Sequence, residues 1–180
     1  MEKDTGTILR QLPLGENGLI ICWGTERHGI VRTAARGARK PGSELAGRLD
    51  LFHECELLFE PSATGDLHSL KNAALLDARL PLRRDLVKLR LAGYMARLIM
   101  DTVESGEQDA EWHRLISGAL DYTAQNPPTP AILTHFEKRL ATLHGVYSPE
   151  VPAHTTLLRH FRHLPAGRGE LIQALSNPAG

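Results

Sequence analysis

The sequence predicts an α+β protein, with a five-stranded barrel over residues 1–78 followed by a small all-helical domain over 79–180. Three observations lead there. Up to Leu76, short apolar segments alternate with clusters of Gly, Pro, Asn and Asp, the punctuation of β-structure. After Pro81 the apolar spacing changes to three and four, the period of helices. Five strands with one irregular interruption between the third and fourth suit a small barrel better than a sandwich.

The first strand reads as Thr5–Leu12, ended by the turn formers of Leu12-Pro13-Leu14-Gly15-Glu16-Asn17-Gly18. Leu19–Thr25 and Ile30–Ala35 follow, joined by a hairpin turn at Glu26-Arg27-His28-Gly29. Leu51–Glu60 and Leu67–Leu76 form the last pair, across Pro61-Ser62-Ala63-Thr64-Gly65-Asp66. In the second half, Leu82–Val103 carries one apolar stripe through Leu86, Leu89, Ala92, Ala96, Ile99 and Val103. Trp112, Leu115, Ile116, Ala119, Leu120 and Thr123 give a second amphipathic face. Asn126-Pro127-Pro128 stops that helix, and Thr129 with Pro130 supplies a cap and first position for the next. Ile132, Leu133, Phe136, Leu140 and Leu143 line the third helix, and Thr155–Leu164 and Gly169–Leu175 read as two shorter ones. No internal repeat is present.

Composition narrows the function classes. With 21 basic and 21 acidic side chains the formal charge is zero, which excludes a globally basic nucleic-acid coat. Two cysteines, Cys22 and Cys55, cannot build a disulfide framework or a four-cysteine zinc site. The polar start Met-Glu-Lys-Asp-Thr lacks the apolar core of a secretory signal. The best apolar run, Gly18 to Gly24, falls far short of the roughly 20 residues of a membrane helix. The expectation is a soluble protein of a reducing, cytoplasmic compartment, without a membrane partner.

Charge is balanced in sum but not in place. Residues 27–48 hold Arg27, Arg32, Arg36, Arg39, Lys40 and Arg48 against the one acid Glu44. Residues 79–97 hold Arg79, Arg83, Arg84, Lys88, Arg90 and Arg97 against Asp85. The acids gather at Asp101, Glu104, Glu107, Asp109, Glu111 and Asp121, so one cationic face is expected. Its centre is Arg36-Gly37-Ala38-Arg39-Lys40-Pro41-Gly42-Ser43, where glycines leave the segment flexible and let backbone amides approach phosphate. A solvated, merely solubilising loop is the plain alternative. A five-stranded barrel carrying such a loop favours nucleic acid, since these barrels commonly bind single strands.

The string Ala34-Ala35-Arg36-Gly37-Ala38-Arg39-Lys40-Pro41-Gly42-Ser43-Glu44-Leu45-Ala46-Gly47-Arg48-Leu49, followed by Leu51-Phe52, resembles the RecO family of bacterial DNA repair proteins. So do Thr5-Gly6-Thr7-Ile8-Leu9-Arg10, the Gly15-Glu16-Asn17-Gly18 turn, Leu82-Arg83-Arg84-Asp85-Leu86 and Leu91-Ala92-Gly93-Tyr94-Met95-Ala96-Arg97-Leu98. The likeness is specific over residues 5–105 and general beyond. It implies an N-terminal OB fold, a helical C-terminal domain and a recombination mediator, not an enzyme. Such proteins bind single- and double-stranded DNA, anneal complementary strands, and with RecR help place RecA on DNA coated by the single-stranded-DNA-binding protein, at the nucleoid. Carried onto this chain, the DNA-facing candidates are Arg36, Arg39 and Lys40, with Arg10, Arg32 and Arg48 as support. Two departures stand out: Gly145 runs straight into Val146-Tyr147-Ser148-Pro149 where some relatives insert a four-cysteine zinc module, and the helical half is short. If a docking site for the acidic tail of the single-stranded-DNA-binding protein survives, Arg83, Arg84, Lys88 and Arg90 would form it.

Other chemistry finds little support. Nine histidines invite a metal, and His160 and His163 could share a helix face, with His154, His135 and His144 nearby in sequence. No cysteine adjoins them and no His-Glu-x-x-His occurs, so structural or surface roles and no cofactor are expected. Asp50, Glu54, Glu56 and Glu60 are close in sequence, and the last three share a strand face that reads as solvent rather than acid catalysis. Cys22 and Cys55 read as small core residues, and Trp23, Phe52 and Phe59 as core aromatics on strands. Two rivals of other classes remain: a protein-interaction adaptor whose barrel contacts protein, and a metal-dependent nucleic-acid enzyme using the histidines.

Overall fold

The computed structural model describes residues 1–104 and 110–177. The chain divides into two compact units, Met1–Arg79 with Val103–Arg114, and Leu80–Thr102 with Leu115–Gly180.

In the first unit β1 (Glu2–Leu14), β2 (Gly18–Thr25), β3 (Gly29–Ala35), β4 (Glu54–Glu60) and β5 (Leu67–Asp77) close a barrel in the order β1-β2-β3-β5-β4. This is the expected OB-type barrel. Every pairing is antiparallel except β3 with β5, where Arg32, Thr33 and Ala34 run parallel to Leu67, His68 and Ser69. β1 is longer than its apolar run suggests because it serves two neighbours. Its start pairs with β4 from Glu2↔Phe59 to Thr7↔Glu54, and its end pairs with β2. A bulge between Ile8 and Arg10 marks the changeover. The β1–β2 turn is tight: a Cβ on Gly18 would stand 2.6 Å from the Leu14 carbonyl oxygen, so only glycine fits.

Period-two alternation sends Ile8, Ile21, Trp23, Val31, Leu57 and Phe59 into one core. Trp23 is wholly buried, and its indole Nε1 donates to Thr33 Oγ1 at 2.8 Å, which satisfies the ring's polar atom inside the barrel. The fourth strand begins at Glu54 rather than Leu51. Phe52 adopts a left-handed backbone (φ 66°), its N–H donates to the Ile8 carbonyl and Ile8 N–H donates to the His53 carbonyl. The pair clamps a turn onto β1, so Phe52 is a core aromatic as expected but not a strand residue.

The second unit is helical. The continuous helix expected over Leu82–Val103 is instead a 3-10 turn, Leu80–Arg84, followed by α1, Leu86–Thr102. Asp85 separates them: its Oδ1 accepts the N–H of Val87 at 2.8 Å and of Lys88 at 3.1 Å, an N-cap that starts a new helix. Leu86, placed on the apolar stripe, is exposed in this first turn, and the buried face runs through Leu91, Met95, Leu98 and Ile99. α2 (Ala110–Gln125) belongs to the first unit up to Arg114, with Trp112 buried, and to the second from Leu115, with Ile116 and Leu120 buried. α3 (Pro130–Leu143) starts at Thr129 and Pro130, although the Thr129 side chain makes no capping bond; the fixed φ of Pro130 is what suits the first turn. α3 buries Leu133, Phe136 and Leu140. α4 covers Ala153–Phe161, ending short of Leu164 because Arg162 turns left-handed (φ 61°), and α5 covers Arg168–Ser176.

An ion pair holds this unit from within. The Arg168 guanidinium on α5 donates through Nε and Nη2 to both Glu137 oxygens on α3, at 2.6 and 2.7 Å. Glu137 is buried, and the bidentate fit compensates the desolvated carboxylate. Burial, with the Glu137 charge adding to it, pushes the neighbouring Tyr94 hydroxyl up to about 12.

Candidate nucleic-acid interface

Strand register decides which cations of the barrel can act together. Arg10 on β1 pairs with Cys22 on β2, and Cys22 pairs with Arg32 on β3. Those three residues form one row across three strands, on the face opposite the inward Ile21, Trp23 and Val31. The adjoining row on the same face is Leu12, Ile20 and Ala34. The face therefore carries two guanidiniums flanking a short apolar strip. No aromatic ring lies in either row; Trp23, Phe52 and Phe59 are buried in the barrel. Burial raises the Cys22 thiol above its ordinary value despite the opposing charges of Arg32 and Arg10. Cys55 faces the interior, and burial with the Glu54 charge pushes it up to about 11.

The segment after β3 is built, not loose. It descends through successive turns, with Lys40 N–H donating to Gly37, Ser43 to Lys40, Ala46 to Ser43 and Arg48 to Leu45 carbonyls. Gly37, Gly42 and Gly47 hold φ of 70°, 76° and 73°, so their role is turn geometry rather than the flexibility expected of them. Ala38 and Leu49 are buried and Leu45 packs on the barrel core. Arg39 staples the segment to the β1–β2 turn. Its N–H donates to Asn17 O at 3.0 Å, and its Nη2 donates to the carbonyls of Glu16 at 2.8 Å and Gly15 at 3.2 Å. Arg36, Arg39 and Lys40 are all exposed, and a guanidinium with five donors keeps others for a ligand.

The remaining candidates separate. Arg48 is exposed, but its Nη1 reaches the Ala73 carbonyl on β5 at 3.4 Å, outside the Arg10–Arg32 row. Arg32 is half-buried with Asp66 of the β4–β5 loop 3.6 Å away. In the helical unit Arg83, Arg84 and Arg90 are exposed. Lys88 is half-buried, and its ammonium donates to the Ala124 carbonyl at 2.9 Å, capping the end of α2. Of the acids, Asp101 and Glu104 are exposed and Glu111 pairs with Arg114 at 2.5 Å, while Glu107 and Asp109 lie outside the described residues.

Two polar clusters escaped sequence reasoning. Arg79, counted above with a cationic run, is buried and donates to Thr7 Oγ1, the Phe52 carbonyl and Glu54. Glu54 is accordingly not the solvent carboxylate expected of its strand face; it neutralises Arg79, with the His113 ring nitrogen 3.6 Å away. Burial, the larger effect, lowers His113 against the opposing pull of Glu54. Glu56 and Glu60 do face outward, paired with Lys3 at 2.9 Å and Lys71 at 2.7 Å. The second cluster is Asp4, whose buried carboxylate receives the N–H of Thr5 and Arg27 and sits 2.5 Å from His28 Nδ1. Both depend on contacts between distant segments. The one available sequence signal was Arg79 following the Asp77 that ends a strand. Among the described residues no group of three metal-ligating side chains converges, and no helix is long and apolar enough to cross a membrane.

The profile "Recombination protein O N terminal" matches residues 1–79, and "Recombination protein O C terminal" matches residues 83–150. The chain belongs to the RecO family. Among RecO proteins similar to it, "DNA repair protein RecO" of Cyanothece sp. is 35% identical over 125 residues, covering 69% of this chain and 42% of that protein. The RecO of Gloeobacter violaceus is 32% identical over 151 residues (83% and 57%), and that of Exiguobacterium sp. 30% over 146 (81% and 58%). The chain thus spans about half the length of the curated RecO relatives it matches.

Proposed function

We propose that this chain is a DNA-binding recombination mediator and performs no bond-making chemistry. It binds single- and double-stranded DNA without sequence preference, anneals complementary strands, and with RecR helps load RecA onto strands covered by the single-stranded-DNA-binding protein, in the cytoplasm at the nucleoid. The observation that carries the reading is the alignment of Arg10 and Arg32 on one strand row, beside a turn segment presenting Arg36, Arg39 and Lys40. Forked and ammonium donors without aromatic platforms fit the phosphate backbone and not the bases. A cationic surface that screens two backbones at once lowers the repulsion between strands that must meet. Residues 1–78 would serve as the DNA-binding domain and 79–180 as the helical partner domain, with Arg83, Arg84 and Arg90 offered to an acidic tail.

Fluorescence anisotropy of labelled oligo-dT at several salt concentrations tests this. With about four to six phosphate contacts, log K against log salt should slope roughly −3 to −4. Replacing Arg10, Arg36 and Lys40 together by Glu leaves the Arg39 staple intact and should flatten the slope by about 2. Unchanged binding in that variant would remove DNA from this face. Flat, weak binding by the natural chain would transfer the reading to a protein-interaction adaptor.

A further inference from the structure

Of the six cations assigned to DNA, Arg32 alone has a carboxylate within ion-pair distance among the described residues. That carboxylate is Asp66, whose Oδ2 lies 3.6 Å from Arg32 Nη1. Its position follows from how the barrel closes. The parallel β3–β5 seam starts at Arg32↔Leu67, so the residue before Leu67 is delivered beside Arg32 by backbone pairing. Asp66 has nothing of a structural pin about it. Its side chain is 71% exposed, that of Arg32 is 40% exposed, and 3.6 Å is longer than a charge-assisted hydrogen bond of about 2.7–2.9 Å. The buried pairs of Arg79 and Arg168 are gripped; this one is a Coulombic neighbour that a better anion can replace.

A carboxylate offers a guanidinium the same paired anionic oxygens that a phosphodiester does. We propose that Asp66 is an internal competitor of phosphate at Arg32. It occupies one cation of the DNA face until a strand displaces it, and so sets strand affinity and salt dependence. The inference rests on the DNA-binding reading above. Its consequence is weaker holding of each strand, which suits a surface that must release what it has paired.

Asp66→Asn, Arg32→Ala and the double variant, titrated against oligo-dT across salt by anisotropy, test the idea. An exposed pair of this kind predicts tightening by roughly two- to fivefold at low salt for Asp66→Asn. The salt slope should steepen by at most about 0.7, because the Asp66 carboxylate set free by the strand takes up a cation in the natural chain and Asn does not. In the Arg32→Ala background the same change should do markedly less. Unchanged or weaker binding by Asp66→Asn, while the natural chain binds, overturns this inference alone. An equal gain with and without Arg32 also overturns it, because removal of any anion would then suffice. A natural chain that fails to bind at low salt overturns the DNA reading and this inference together.

Discussion

The barrel unit and the helical unit each hold a guanidinium–carboxylate pair away from solvent, and they use it differently. In the helical unit the pair joins two elements: Arg168 of α5 meets Glu137 of α3 in a two-pronged fit between helices that also bury Leu133, Phe136, Leu171 and Leu175. In the barrel unit one guanidinium gathers three chain segments, with Thr7 from β1, the Phe52 carbonyl from the turn before β4, and Glu54 from β4. Arg79 even holds a left-handed backbone (φ 43°) to reach them. The first pair joins two helices; the second ties the start of β4 and the turn before it to β1. An arginine's task is thus read from how many segments claim its donors, not from the charge run that contains it. Arg79 and Arg83 share a basic stretch, yet one is buried and the other exposed.

The sharpest way to break this contrast is Arg79→Met. It strands Glu54 beside orphaned polar atoms and should lower stability by about 3–5 kcal/mol in urea titrations followed by circular dichroism. A loss below about 1 kcal/mol would show that the strand ends need no such anchor. Arg168→Met also strands a buried carboxylate, Glu137, and should cost about 3 kcal/mol, the low end of that range, because the apolar packing of α3 and α5 survives. Equal losses for the two variants would erase the distinction.

A pH series sharpens the comparison further. Burial lowers His113 below its ordinary value, so between that lowered value and about 6.5 the unfolded chain binds more protons than the folded one. Stability should therefore fall as pH drops below about 6.5, by at most about 1.4 kcal/mol per pH unit from this residue. His154 is lowered as well, chiefly by burial, and acts in the same direction within the helical unit. His113→Gln should flatten the acid side of the profile in part. If it leaves the profile unchanged, the barrel's acid sensitivity does not come from His113.

Much of the fold was legible because local spacing carries it. Alternation marked all five strands, and the stripes of Trp112–Thr123 and Ile132–Leu143 marked two helices closely. The misreadings have physical causes. Phe52 is apolar and followed by a strand, but a left-handed backbone places it in a turn. Asp85 was counted as a lone acid in a basic run, whereas its carboxylate caps α1. At the candidate site, Arg10, Arg32, Arg36, Arg39 and Lys40 were singled out by charge and resemblance. The alignment of Arg10 with Arg32 required the cross-strand register, which a bulge at Ile8/Arg10 shifts and which no spacing in β1 alone discloses. Arg79 and Glu54 were invisible as partners because nothing local links them.

The seam between β3 and β5 has a bearing on how the barrel is made. It joins segments remote in the chain through only three residue pairs, whereas the other pairings run along whole hairpins or long strands. Closing it fixes a long intervening stretch through the fewest residue pairs of the five pairings, so it gives the smallest immediate return on the entropy it costs. The hairpin β1–β2–β3 can form early, and the β3–β5 seam is then the last to zip and the first to breathe. A nucleic-acid surface bordered by that seam would sit on the most readily opened line of an otherwise closed cylinder.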